Sequence, residues 1–176
     1  HDLEGWDGAD TDAVKLADGH QLTMLSRGKN LSIVHQDEFR DFELTAEVRM
    51  PSDDYNAGIG FRCQVQANGK PKGYQCEVAE QESGMLYAIA SGGWVWPKGE
   101  QQRAEFFARS GEAFRSGKWN HLRIKAEGDS LQIWVNGILV TDIEDDRHRS
   151  GRIALQHHGK GGVHRYRNVL IRRLNE

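Results

Sequence analysis

Apolar and polar residues alternate with a period of two along most of this chain. The clearest run is Phe42 to Met50, where Phe42, Leu44, Ala46, Val48 and Met50 interleave with Glu43, Thr45, Glu47 and Arg49. Successive strand side chains point to opposite faces, so the pattern predicts a strand with one dry and one polar face. Ile59, Phe61 and Cys63 alternate with Gly60, Arg62 and Gln64, and Tyr74, Cys76 and Val78 with Gln75 and Glu77. Leu122, Ile124 and Ala126 alternate with His121, Arg123 and Lys125, and Leu131, Ile133 and Val135 with Gln132, Trp134 and Asn136. Asn136-Gly137 is a hairpin signal leading into Ile138 to Val140. Arg152 to His158 sets Ile153 and Leu155 against Ala154, Gln156 and His158. Further strands are predicted at Gln21 to Leu25, Leu31 to Val34, and from about His164 to Leu174. The segment Gln101 to Phe114 is the one helical or irregular excursion, with Ala104, Phe107 and Ala108 suited to a short amphipathic turn.

Each apolar face must be buried against another layer. Many short strands with almost no helix predict an all-β fold of two packed antiparallel sheets. At 176 residues, with its 20 glycines and 3 prolines spread along the chain, nothing marks a linker, so a single domain over 1–176 is expected. An apolar share of 38% and a charged share of 28% fit a soluble globular chain. The net charge of −3 is a balance of well-mixed signs, which favours neither nucleic acid nor a membrane surface as partner. The chain opens at His1 without a signal-peptide pattern. A removed signal or an excised domain is expected, with a secreted or periplasmic location of bacterial type. Cys63 and Cys76 flank Asn68-Gly69 almost symmetrically, an arrangement that admits a cross-strand disulfide. The preferred reading is two small buried hydrophobes.

The non-core strand positions include Glu47, Arg62, Gln75, Glu77, Trp134, Gln156 and His158. Planar hydrogen-bonding groups of this kind supply the donors and acceptors that sugar hydroxyls need, and Trp134 offers a flat surface for a pyranose. The competing reading is a solvated sheet face of satisfied ion pairs. Trp94 and Trp96 stand in a predicted glycine-rich loop, Ser91 to Glu100, as a sugar-site rim or lid or as cover for the core edge. None of the eight histidines shows HExxH spacing, and no CxxC pair, GxSxG, Walker loop or dinucleotide fingerprint is present. His157-His158 must point to opposite faces, and His158 is the one expected to join the polar site. Asp142, Glu144, Asp145 and Asp146 read as a solvated turn, with calcium as the minority reading.

Several ordered segments carry a family pattern. They are Leu3-Glu4-Gly5-Trp6, Asp41 to Arg49, Asn56 to Arg62, Gly73 to Glu77 and Gly84-Met85-Leu86-Tyr87. Gly117 to Asn120, Trp134 to Gly137, Gly151 to Gly159 and Arg167-Asn168-Val169 complete the set. In these the chain resembles the 3-keto-disaccharide hydrolase family of bacterial domains. The resemblance implies a concanavalin-like two-sheet jelly roll. Gln75 then Glu77 stand here where the family has Glu then Gln, Ala57 replaces a serine, and Arg115 lies where a lysine is common.

The resemblance also implies a chemistry. A C3 keto group acidifies the C2 hydrogen of a sugar, a base removes it, and the C1 oxygen leaves. On that expectation Glu77 or Glu47 is the base, Arg62 the oxyanion partner and His158 an acid or metal ligand. Tyr87, Gln75, Gln156 and Trp134 orient the sugar, with Trp94, Trp96 and Arg115 at its margins. A divalent metal is admitted between a carboxylate and His158, and no organic cofactor is expected. The ligand is a glycoside or oligosaccharide. Three alternatives stay open: a non-catalytic carbohydrate-binding module, an ordinary glycosidase pairing Glu47 with Glu77 across roughly 5–10 Å, and an adhesion module.

Overall fold

A computed structural model describes residues 3–9, 11–17, 20–51, 54–111 and 113–174. In chain order the elements are β1 (Trp6–Asp7), β2 (Val14–Ala17), β3 (Gln21–Met24), β4 (Leu31–Phe39) and β5 (Phe42–Arg49). They continue with β6 (Asn56–Val65), β7 (Pro71–Ala79), β8 (Leu86–Ile89), β9 (Trp94–Trp96) and α1 (Gly99–Ser110). The last five are β10 (Asn120–Glu127), β11 (Ser130–Val135), β12 (Ile138–Glu144), β13 (Gly151–His157) and β14 (His164–Arg173). They form two seven-stranded sheets, ordered β1-β4-β13-β6-β7-β8-β9 and β12-β11-β10-β5-β14-β3-β2. Neighbouring strands pair antiparallel.

The alternation in the sequence is what welds the sheets together. Phe42, Leu44, Ala46 and Val48 of β5 are fully or almost fully buried, and so are Ile59 and Phe61 of β6 and Tyr74, Cys76 and Val78 of β7. Phe42 meets Phe61 across the sandwich with ring centroids 6.2 Å apart, and Phe61 meets Tyr74 within its own sheet at 5.4 Å. Burying each such side chain is worth roughly 1.5–3 kcal/mol, and this is the main force holding the two layers together. Among the described residues, no helix is long and apolar enough to cross a membrane.

One irregularity changes the reading of β6. Arg62 has φ +49°, and the register against β7 shifts between Phe61 and Gln64, so Arg62 and Cys63 together face Gly73. This is a β-bulge, which reverses the inward and outward positions beyond it. Glycines on both neighbouring strands make room. A Cβ at Gly73 would lie 2.8 Å from the Arg62 carbonyl oxygen, and one at Gly151 would lie 2.5 Å from the Arg62 carbonyl carbon. Cys63 therefore emerges beside Val34 and Ala154 on the outer face of the first sheet, while Cys76 lies in the core between the sheets. Both thiols are free and buried. The two stand on opposite faces of one sheet, which is why they are not bridged.

Two other expectations are revised. The stretch around Trp94 is an edge strand and not a loop. Within the acidic run, Asp142 and Glu144 belong to β12, while Asp145 accepts the Tyr74 hydroxyl and is held by the Arg147 guanidinium. Asp145 is thus a structural anchor for the loop after β12.

Candidate functional site

The outer face of the first sheet has a bare strip at its centre. β6 presents Gly58 and Gly60 there, opposite Glu77 and Gln75 of β7, and opposite Gln156 and Ala154 of β13. With no side chain at Gly58, Gln75 lies across it; a Cβ at Gly58 would come within 2.4 Å of the Gln75 side chain. Gln75 Nε2 donates to Glu77 Oε1 at 2.7 Å and to Gln156 Oε1 at 2.9 Å. Both amide hydrogens are thereby used, and the three side chains are locked into one row. The Gln156 carbonyl is turned to Gln75, which leaves its own NH2 as a donor toward the surface.

A cavity of about 180 Å³ opens above this row. Gln75, Glu77, Gln156, His158, Tyr87 and Trp94 line it, together with Asn56, Glu82 and Ile89. Tyr87 and Trp94 meet edge to face at 5.4 Å, and the Arg103 guanidinium of α1 sits 5.3 Å from the centre of the Trp94 ring. The helix therefore braces the aromatic wall.

Glu77 is the chemically distinctive group. Its side chain sits in a nearly sealed position, with the residue 5% exposed. Burial pushes its carboxyl up from 4.5 to about 7; the Gln75 hydrogen bond pulls the other way, and the Glu82 charge adds to the rise. A carboxyl half-ionised near neutral pH is suited to moving a proton.

His158 is exposed and enters from the loop that follows β13. Its N–H donates to the Asn56 carbonyl at 3.0 Å. The loop is fastened underneath by a pair of stacked imidazoles, His157 and His164, 3.7 Å apart. His157 Nδ1 accepts the Gly159 N–H at 2.9 Å, so its proton is on Nε2, which donates to the Gly162 carbonyl at 3.0 Å. Burial lowers the affinity of both rings for a second proton, that of His164 to about 4, and the pair stays neutral at ordinary pH.

Five expected site residues lie elsewhere. Glu47 belongs to β5 of the second sheet and points outward, held by the Arg167 guanidinium and by Asn168 Nδ2 at 3.0 Å. Those bonds keep its carboxyl below the ordinary range. Trp134 shares that second outer face, with the Arg123 guanidinium 4.3 Å over its ring. Arg62 is sealed inside. It donates to the carbonyls of Arg40 (2.9 Å), Gly128 (2.8 Å) and His148 (3.2 Å), and to Asp41 Oδ1 (3.2 Å). The bulge turned it from the polar row into a clamp that ties three loops together. Trp96 packs against the core edge, and Arg115 stands in an exposed loop whose backbone is bonded to the Asn120 side chain. The expected convergence of Glu47, Arg62, Glu77, Gln156 and His158 is thus corrected: only the last three share a cavity. The pairing of Glu47 with Glu77 fails too, because the two lie on opposite outer faces of the sandwich.

Asn56, Glu82 and Ile89 were missed. Asn56 heads a segment quoted for its family pattern, but its side-chain direction depends on where β6 begins. Its Oδ1 is buried with no partner among the described residues. Glu82 sits in the turn after β7, where alternation carries no information. Among the described residues, no group of three or more His, Cys, Asp or Glu side chains is gathered at metal-ligand spacing.

Comparison with known proteins bears on the fold and the family. The fold matches a carbohydrate-binding module of Bacillus subtilis with TM-score 0.71 and 18% identity, over 95% of this chain and 94% of that one. It matches a crystal structure described as a putative glycosyl hydrolase of Parabacteroides distasonis with TM-score 0.71 and 15% identity, over 99% and 90%. A Bacillus subtilis protein described as having a galectin-like fold matches with TM-score 0.65 and 8% identity, over 96% and 94%. At these identities the likeness is one of fold, and it makes the sandwich a jelly roll of the concanavalin and galectin type. No curated protein matches the chain. The model of the 3-keto-alpha-glucoside-1,2-lyase-like domain matches residues 1–172, and the chain belongs to that family.

Proposed function

We propose that this domain cleaves 3-keto-glycosides by removing the C2 proton and expelling the C1 oxygen. The observation that carries the reading is Glu77: a nearly buried carboxyl raised to about 7, fixed by Gln75 at the floor of a cavity walled by Tyr87 and Trp94. In this scheme Glu77 takes the C2 proton and its electron pair becomes the enolate. Charge grows on the C3 oxygen, and the Gln156 NH2 is the donor available to it. The C1–O bond then breaks as the enolate collapses, and His158 gives the departing oxygen its proton. Water adding afterwards to the unsaturated sugar would make the net reaction a hydrolysis. Tyr87 and Trp94 offer the apolar face against which a ring can lie.

The second reading is a binding module, favoured by the likeness to the Bacillus subtilis carbohydrate-binding module. A module needs amides and aromatics but gains nothing from a buried carboxyl that titrates near neutrality. The test is incubation with 3-keto-glucosides and with their unoxidised parents, with and without a chelator. Cleavage of the keto form alone supports the proposal. Binding of both with cleavage of neither supports the module.

A further inference from the structure

Where β5 ends beside the start of β14, the second sheet carries a charge arrangement unlike that of the rest of its outer face. Farther along that face Arg123 and Arg172 pair with Glu43, and Arg167 pairs with Glu47. Arg49, the last residue of β5, stands directly opposite Arg165 of β14 in the antiparallel register. Like charges at directly opposed strand positions repel and destabilise a sheet. Among the described residues, neither arginine has a carboxylate within ion-pair distance.

Both guanidinium groups are nevertheless held in place. Arg49 Nε donates to the Gly117 carbonyl at 3.0 Å, and Arg165 Nη1 donates to the Val163 carbonyl at 3.3 Å. Among the described residues, the other N–H donors of the two groups have no acceptor. The two side chains border an open recess of about 510 Å³, together with Met50, Pro51, Gly117 and Gly162. The space around Gly162 is unfilled: among the described residues, a Cβ there would meet only Pro51 Cγ, at 3.9 Å. Two tethered guanidinium forks side by side match an anion with acceptor oxygens on several sides. A planar carboxylate is satisfied by one fork, whereas a tetrahedral oxyanion has oxygens for both.

We infer that the recess between Arg49 and Arg165 binds a phosphate or sulfate group, as the free anion or as an ester on a sugar. The bound group takes the place of the missing carboxylate, and its charge turns the repulsion between the two arginines into attraction to a shared centre. This site belongs to the second sheet, whereas Glu77 and its cavity belong to the first, so it is independent of the chemistry proposed there.

Calorimetric titration at one fixed ionic strength tests the assignment. The probes are inorganic phosphate, inorganic sulfate and glucose 6-sulfate, with acetate as a planar carboxylate and chloride as the screening control. The proteins are the wild type, Arg49→Gln, Arg165→Gln and Arg172→Gln. The last removes the same charge from the same face, but from a position already paired with Glu43. The wild type should bind phosphate or sulfate saturably, about tenfold or more tighter than acetate or chloride. Arg49→Gln and Arg165→Gln should each weaken that binding by about tenfold, the worth of charge-assisted hydrogen bonds, while Arg172→Gln changes it by less than about twofold. Phosphate should also raise the melting temperature of the wild type more than that of either recess variant. Glucose 6-sulfate binding more tightly than inorganic sulfate supports the ester form, and equal affinity supports the free anion. No saturable binding, binding matched by acetate or chloride, or an equal loss in Arg172→Gln overturns the inference.

Discussion

The two outer faces of this sandwich are built from the same alternation and have opposite characters. The face of the second sheet carries long charged side chains neutralised in pairs: Glu43 with Arg123, Glu47 with Arg167, and Trp134 under Arg123. It is an ordinary solvated surface, and its carboxylate Glu47 is held in the ionised form. The face of the first sheet has glycines at its centre, amides locked to one another, and a carboxyl that burial keeps protonated up to about pH 7. A strand pattern specifies which residues leave the core. What they meet on leaving is set by neighbours on other strands, and here two glycines turn one surface into a trough.

The largest effect that separates the faces is expected from the two glutamates. Glu77→Gln should lower kcat/KM on a 3-keto-glucoside by about 10²–10⁴-fold, the usual worth of a positioned proton-transfer group. Glu47→Gln should change it less than about twofold, since exposed ion pairs matter little. Steady-state kinetics on the two variants read the difference, and similar losses in both would erase the contrast.

Arg62 sharpens the comparison because its chemistry suited a site and its position suits a clamp. Arg62→Leu leaves three carbonyls and Asp41 without their donor. It should cost about 3 kcal/mol in a urea titration, as removal of one partner from a buried charged network does. Catalysis by the fraction that remains folded should be close to normal; a stable variant without activity would return Arg62 to the chemistry.

The pH dependence comes next. Burial raises Glu77 from 4.5 to about 7, so in that window the folded protein holds a proton that the unfolded chain has released. Its contribution to stability therefore falls as pH rises from about 4.5 through about 7, by on the order of 3 kcal/mol. His164 acts in the opposite sense. Its affinity drops from 6.5 to about 4, so its contribution is lost as pH falls from about 6.5 through about 4. The two slopes oppose each other over nearly the same range. Stability curves of wild type and Glu77→Gln should diverge, the variant gaining relative to wild type as pH rises from about 4.5 to 7. Parallel curves would mean that Glu77 titrates normally.

The smallest effect is expected from the trough itself. Gly58→Ala places a methyl against Gln75, the end of a flexible side chain that is able to move. Stability should fall by less than about 1 kcal/mol, whereas loss of the Gln75 bonds should reduce kcat/KM by about tenfold. Thermal melts beside kinetics distinguish this from general damage, for which both would fall together.

Much of the fold was legible in the sequence because burial enforces a period of two. β5, β10, β11 and β13 appear where Phe42, Leu122, Leu131 and Ile153 start their alternating rows. Short edge strands such as β1 and β9 leave too few residues for a period to show. Within the site, Gln75, Glu77 and Gln156 were readable as outward positions on β7 and β13, the two strands that flank β6, while His158 follows the end of β13. Glu47 and Trp134 were equally outward, but nothing in their spacing tells which of two sheets a strand joins. Arg62 misled for a different reason: a bulge of a single residue reverses every facing beyond it, and its cue lies in Gly73 and Gly151 on other strands.

Solvent-hydrogen exchange at C2 of a bound 3-keto-glucoside tests the account at its centre. In heavy water the wild type should incorporate deuterium at C2 or show a primary isotope effect with C2-deuterated substrate, and Glu77→Gln should do neither above background. Cleavage that leaves the C2 hydrogen untouched, or exchange by Glu77→Gln at the wild-type rate, would contradict it.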